Sequence, residues 1–177
     1  MTALYKVAVM LALTLIASCG GREEVREPLQ EAKAKEALRD VNRALVERDR
    51  ELISAYIQRH GLQGMEEDGA GLFYLIWGKG MDGKPTAGDI VVLEYTLSLL
   101  DGTVCYTSDS TGYKEFVLGY GGVESGLELG VALMQRGQRA KFILPPHLGH
   151  GLLGDNEMIP PRSIIVYDVH LVNIIDK

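Results

Sequence analysis

Four titratable side chains crowd one short stretch, "PPHLGHGLLGDNEMIPP": His147, His150, Asp155 and Glu157. Imidazole and carboxylate are metal ligands, so a metal centre is the first chemistry to weigh. Two histidines three apart need a rigid helix to aim both rings at one ion, and these sit among glycines and prolines. No metal and no cofactor are expected. The glycines at 149, 151 and 154 lack the lysine and following helix of a phosphate cradle. They suit a loop folded tightly over a hollow. No serine, histidine and aspartate are arranged for nucleophilic attack. Cys105, alone in an apolar strand, reads as a small core residue. Tyr95 and Tyr167 both take the inward phase of alternating stretches. On their residues alone they read first as core aromatics, with pocket walls as the alternative.

The elements that must position these residues fall in two halves. From Leu29 to His60 the chain is rich in Ala, Glu, Lys, Arg and Leu, strong helix formers. Leu38, Val41, Leu45, Leu52 and Tyr56 recur at helical spacing and form one apolar stripe. That stripe would pack on the following domain or pair with a second copy of this chain, giving a homodimer through the 29–60 helix. Glu31 and Lys35 form an i,i+4 pair, the run "ERDRE" around Asp49 is a candidate break, and Gly61 is a candidate stop. From Gly71 the period turns strand-like. Strands are expected over Leu72–Ile76, Ile90–Leu99, Thr103–Thr107, Glu115–Leu118, Arg139–Pro145 and Ser163–Ile174, with a hairpin turn at Asp101-Gly102. Val91, Leu93, Tyr95, Leu97 and Leu99 share one face of the longest early strand, and Ile165, Tyr167, Val169 and Leu171 one face of the last. Val123–Arg136 reads as the one helix of this half. The sum is an α+β domain with about five strands and a helix covering one face.

The first residues are of another kind. "MTALYKVAVMLALTLIASCG" carries one cation, Lys6, then an apolar run from Val7 to Ala17. Such a run is shorter than the roughly 20 residues that span hydrocarbon and has the length of a secretory signal's apolar region. Ile16-Ala17-Ser18-Cys19 resembles a bacterial lipobox. The reading is a signal peptide over 1–18, an acylated Cys19, a tether over 19–28, a helical segment over 29–66 and the main domain over 67–177. Two or three acyl chains would anchor the protein to a cell-envelope membrane, facing the periplasm or the outer surface. The formal net charge of −6 argues against a nucleic-acid partner. No repeat of solenoid period is present.

From Gly71 to Asp176 the sequence resembles the FKBP-type peptidyl-prolyl isomerases. The resemblance rests on "GDIVVLEYTLSLLDGT", "GLELGVALMQRGQRAKFILPP" and "IPPRSIIVYDVHL", in register. "DGTVCYTS", "VESGLELG" and "GHGLLGD" look closest to lipid-anchored isomerase-like proteins of bacteria related to gliding species. The resemblance implies an FKBP-like antiparallel sheet wrapped over one short helix, and an enzyme that turns X-Pro bonds of exported polypeptides without metal or nucleophile. It implies a dry aromatic cup: Tyr95 and Tyr167 as walls, Val123 at the helix entrance, Leu127 as floor, Ile159 beyond the loop, and the Glu124 backbone N–H receiving the substrate carbonyl. His150 stands where a tyrosine hydroxyl is usual, and neutral imidazole can donate one N–H. Where the family has Phe-Asp after the hairpin, this chain has Cys105 and Tyr106. One wall aromatic and an aspartate are therefore missing, unless a shifted register lets Tyr106 fill the gap. These departures support a second expectation, a non-catalytic chaperone or binding module.

Overall fold

The computed structural model describes residues 27–81 and 83–177. Cys19, the signal segment and the tether up to residue 26 lie outside the described residues. The chain divides into two compact units, residues 1–44 and 45–177. What is described of the first is helical, the opening part of helix α1 (Glu27–His60). Its exposed surface is laced by local ion pairs, with Lys35 Nζ 2.6 Å from Glu31. Leu38 and Val41 are open to solvent.

The second unit begins with the remainder of α1. The helix continues through Asp49 without a break. Asp49 is buried there because the Arg162 guanidinium meets both of its oxygens, at 3.1 and 2.8 Å. The stripe also differs from the expected one. Leu52 is 45% exposed, whereas Ile53 and Tyr56 are buried. Spacing alone put Leu52 in line with Leu38 and Leu45. Of the expected stripe Tyr56 is packed, and its partner on the buried face is Ile53 rather than Leu52; the two meet Phe73, Ile143, Ile164 and Val166. The helix ends at Gly61, whose φ of +60° suits glycine.

Among the described residues seven strands follow in one antiparallel sheet: β1 (Glu66–Glu67), β2 (Phe73–Trp77), β3 (Ile90–Leu99), β4 (Val104–Thr107), β5 (Lys114–Val117), β6 (Arg139–Leu144) and β7 (Ile165–Ile175). The spatial order is β1-β2-β6-β7-β3-β4, and β5 takes up the other end of the β3 edge that β4 occupies. A one-turn helix, α2 (Ser108–Thr111), carries the chain from β4 to β5. Six of the strands fall on the stretches expected from the sequence, and the addition is β1, whose two residues cannot show alternation.

Helix α3 (Ser125–Val131) is half the length expected from Val123–Arg136. Val123 lies in a bend and Glu124 is the non-helical cap, so the helix starts at Ser125. Beyond Val131 the chain runs on to Arg136, which bridges Met81 by backbone pairing. Leu127 and Val131 are buried on the sheet face formed by Val91, Leu93, Tyr95 and Leu97 of β3 and Ile165, Tyr167, Val169 and Leu171 of β7. Close approach requires Gly130: a Cβ there would stand 2.7 Å from the Phe142 ring. The sheet is thus covered on both faces, by α3 on one and by the end of α1 on the other.

Candidate functional site

The site starts from strand register. In the β3–β7 pair, Tyr95 faces Val169 and Leu97 faces Tyr167. Tyr95 and Tyr167 are therefore diagonal neighbours on one face. Their ring centroids lie 6.0 Å apart, tilted by 49°. The Tyr95 hydroxyl pairs with Thr111 Oγ1 at 2.8 Å, which ties the ring to α2.

Strand β5 adds Lys114, which faces Leu93 across the pair. Its ammonium lies 5.3 Å from the Tyr95 ring centroid and 5.5 Å from that of Tyr167, within cation–π range. It also donates to the Tyr167 hydroxyl at 3.1 Å. This residue was missed among the candidate site residues, although a signal for it exists. Phe116, two positions on, is buried, so the period of a strand puts Lys114 on the inward face as well.

The entry to α3 brings Glu124, and its side chain, not only its backbone, turns inward. It is 8% exposed. Its Oε1 accepts from the Tyr167 hydroxyl at 2.8 Å and from His150 Nε2 at 2.9 Å. A carboxylate only accepts, so Nε2 is the protonated ring nitrogen. Glu124 Oε2 lies 3.5 Å from Lys114 Nζ. Burial pushes this carboxyl up. The Lys114 charge, Glu124's own backbone N–H, the Tyr167 hydroxyl and His150 outweigh it and hold the group below the usual carboxylate range. The Tyr167 hydroxyl is pushed far above its ordinary value, by burial first and then by the Glu124 charge.

A second tyrosine–carboxylate pair sits at the loop. Leu97 pairs with Tyr106 and Ser98 with Val104, so Cys105 is the extra residue of a bulge. The register is shifted, and Tyr106 borders the hollow. Its hydroxyl donates to Asp155 at 2.5 Å and lies 3.2 Å from Glu157. Asp155 also accepts the backbone N–H groups of Glu157 and Ile159, at 2.9 and 2.8 Å. Burial pushes Asp155 up, but the Tyr106 bond, these two N–H groups and the His150 charge bring it down to about 2. The bond to Asp155, with burial next, raises the Tyr106 hydroxyl to about 12. The turn closes so tightly that only glycine fits at 154, where a Cβ would stand 2.1 Å from the Ile159 carbonyl oxygen.

These groups enclose a cleft of about 340 Å³. Tyr95, Leu97 and Lys114 form its sheet side, and Tyr106, Asp155 and Glu157 its loop side. Glu124 and His150 complete it. Of the expected site residues, Tyr95, Glu124 and His150 line the cleft. Val123 is half-buried against the core, and Leu127, Ile159 and Tyr167 are buried in it. The hollow is polar, not the dry aromatic cup that the resemblance implied, because Lys114 and the Glu124 carboxylate both point into it. His147 is engaged elsewhere, with Nε2 3.0 Å from the Ala70 carbonyl oxygen. Among the described residues, no three His, Cys, Asp or Glu side chains are grouped to hold a metal ion.

The family model of the FKBP-type peptidyl-prolyl cis-trans isomerases matches residues 81–172. The chain belongs to that family. Its FKBP-type domain is 39% identical over 92 residues to FK506-binding protein 2 of Yarrowia lipolytica, which is 51% of this chain and 64% of that one. A longer likeness reaches the FKBP-type peptidyl-prolyl cis-trans isomerase FkpA of Aeromonas hydrophila, 32% identical over 160 residues, covering 86% of this chain and 57% of that one. The chain thus spans less than two thirds of the length of either relative. Among solved structures, Escherichia coli FkpA aligns over 99% of this chain and 83% of its own, with a TM-score of 0.64 at 24% identity. At that identity the likeness speaks for the shared fold.

Proposed function

We propose that this FKBP-type protein is a peptidyl-prolyl cis-trans isomerase of the cell envelope, acting on X-Pro bonds of exported polypeptides. Rotation about such a bond faces a barrier of about 18–20 kcal/mol. The amide loses resonance when twisted, so a site that binds the twisted form better than the planar one lowers the barrier without a nucleophile. The observation that carries this reading is the open cleft lined by Tyr95, Glu124 and His150, with the Tyr95 ring backed by the buried Tyr167 ring 6.0 Å away. A second reading is a catalytically weak chaperone or binding module. It is favoured by the internal carboxylates that engage the cleft's donors. Protease-coupled isomerisation of a Leu-Pro tetrapeptide separates the two. The first requires a rate above the uncatalysed one. A folded protein with no such rate leaves the binding module.

Attachment by lipid on Cys19 is part of the proposal, supported by Ile16-Ala17-Ser18-Cys19 at the end of the apolar run. Among the described residues no helix is long and apolar enough to cross a membrane. Mass spectrometry of the mature N-terminus should find Cys19 acylated, and an unmodified start elsewhere would end that part. The segments "VESGLELG" and "GHGLLGD" support a place beside lipid-anchored relatives of gliding bacteria. Exposed Leu38 and Val41 leave a surface for pairing with a second copy through α1, which sedimentation of the soluble protein tests directly.

A further inference from the structure

We infer, on the isomerase reading of this cleft, that the Glu124 carboxylate occupies the place of a substrate carbonyl oxygen and thereby sets how weakly prolyl peptides bind. A peptide carbonyl is an acceptor and needs an O–H or N–H to hold it. The side-chain donors that reach this hollow are few. The Tyr106 hydroxyl ends on Asp155, and the Tyr95 hydroxyl pairs with Thr111. That leaves the Tyr167 O–H, the His150 Nε2–H and the Lys114 ammonium. All three converge on one carboxylate, at 2.8, 2.9 and 3.5 Å. Its Oε1, gathering two of them, sits where a ligand's oxygen would gather the same bonds.

Charge makes the occupant a strong competitor, because hydrogen bonds to an ionised acceptor are roughly twice as strong as neutral ones. A neutral amide carbonyl must displace it to reach Tyr167 or His150. Glu124 immediately precedes Ser125, the first residue of α3, so its backbone is fixed by the helix entry and the contest falls on its side chain. A competitor of this kind acts on ground state and transition state alike. Its removal lowers KM and leaves kcat nearly unchanged.

The test compares wild type, Glu124→Ala and Glu124→Gln in the protease-coupled assay with a Leu-Pro tetrapeptide. Glu124→Ala should raise kcat/KM about tenfold through KM, the scale of one charge-assisted hydrogen bond. Glu124→Gln keeps an acceptor without the charge and should give a smaller rise. A wild-type measurement guards against variants that fail to fold. The carbon resonance of the Glu124 carboxyl should shift as the same peptide saturates the protein. Folded variants with equal or lower kcat/KM overturn the inference while leaving the isomerase reading intact, and so does a carboxyl resonance that stays still at saturation. If wild type and variants neither turn over nor bind the peptide, the isomerase reading itself falls and takes this inference with it.

Discussion

Tyr167–Glu124 and Tyr106–Asp155 are the same two chemical groups set in two parts of one cleft. In both, a phenol donates to a carboxylate, the phenol is raised and the carboxylate lowered. Their surroundings differ. Glu124 is held by side chains from three separate elements, Tyr167 on β7, His150 on the loop and Lys114 on β5, beside its own backbone N–H. Asp155 is held by Tyr106 and by two backbone N–H groups of its own loop. A carboxylate gathered mainly by side chains of other elements can be exchanged for a ligand. One gathered by backbone fixes the shape of its loop. On the inference drawn above, Glu124 serves binding and Asp155 architecture.

The sharpest way to break that assignment is to remove the loop's acceptor. Asp155→Ala strands two N–H groups and should cost about 2 kcal/mol, lowering Tm by about 4–8 °C. Hydrogen exchange should quicken at Glu157 and Ile159. A variant as stable as wild type would erase the architectural role. Next in size is Tyr167→Phe, expected to cost about 1–2 kcal/mol because the hydroxyl is buried against a charged acceptor. Alanine would be uninformative there, since truncating a fully buried ring costs about 3–5 kcal/mol by cavity formation alone.

Acid should then separate the groups by slope. The Asp155 carboxyl falls from 3.8 to about 2 in the fold. A depressed carboxyl stabilises fully above its unfolded value, and that contribution disappears as pH drops through the folded value. Urea unfolding should therefore weaken from about pH 4 toward pH 2, and Asp155→Asn should flatten part of that decline. Glu124 shifts in the same direction and adds to it. The smallest effect should come from Tyr106→Phe, because its loss leaves Asp155 its two backbone donors. An effect as large as that of Tyr167→Phe would make the two pairs equivalent.

Much of the frame was legible because β3 and β7 alternate with a period of two along most of their length, even though Val92 and Val166 on the opposite face are buried too. Val91, Leu93, Tyr95 and Leu97 alternate cleanly, and their strand runs over Ile90–Leu99 as the pattern implies. The end of α3 was not legible, because Val131, Leu133 and Met134 continue an apolar run while the backbone has already turned toward Met81. The packed face of α1 was misjudged for a related reason. Leu52 and Tyr56 both fit the helical spacing, but Ile53 rather than Leu52 joins Tyr56 against the sheet, and only tertiary packing distinguishes them. At the site, the family pattern located Tyr95, Glu124 and His150 on the cleft. It did not convey that the Glu124 side chain turns in, since that depends on three donors brought from sequence-distant strands and loops.

The place of β7 has a consequence in time. It lies between β6 and β3, so the last strand described is an inner member of the sheet. Until Ile165–Ile175 is available, β1-β2-β6 and β3 with β4 and β5 are two fragments with no shared edge. A growing chain emerges N-terminal end first at about 5–20 residues per second. The interval from β3 to the end of β7, residues 90 to 175, therefore lasts roughly 4–17 s at that rate. Throughout it both fragments present open edges, which are templates for pairing with other chains. The domain closes late and as a whole, and its dangerous period is set by the speed of its delivery rather than by its stability.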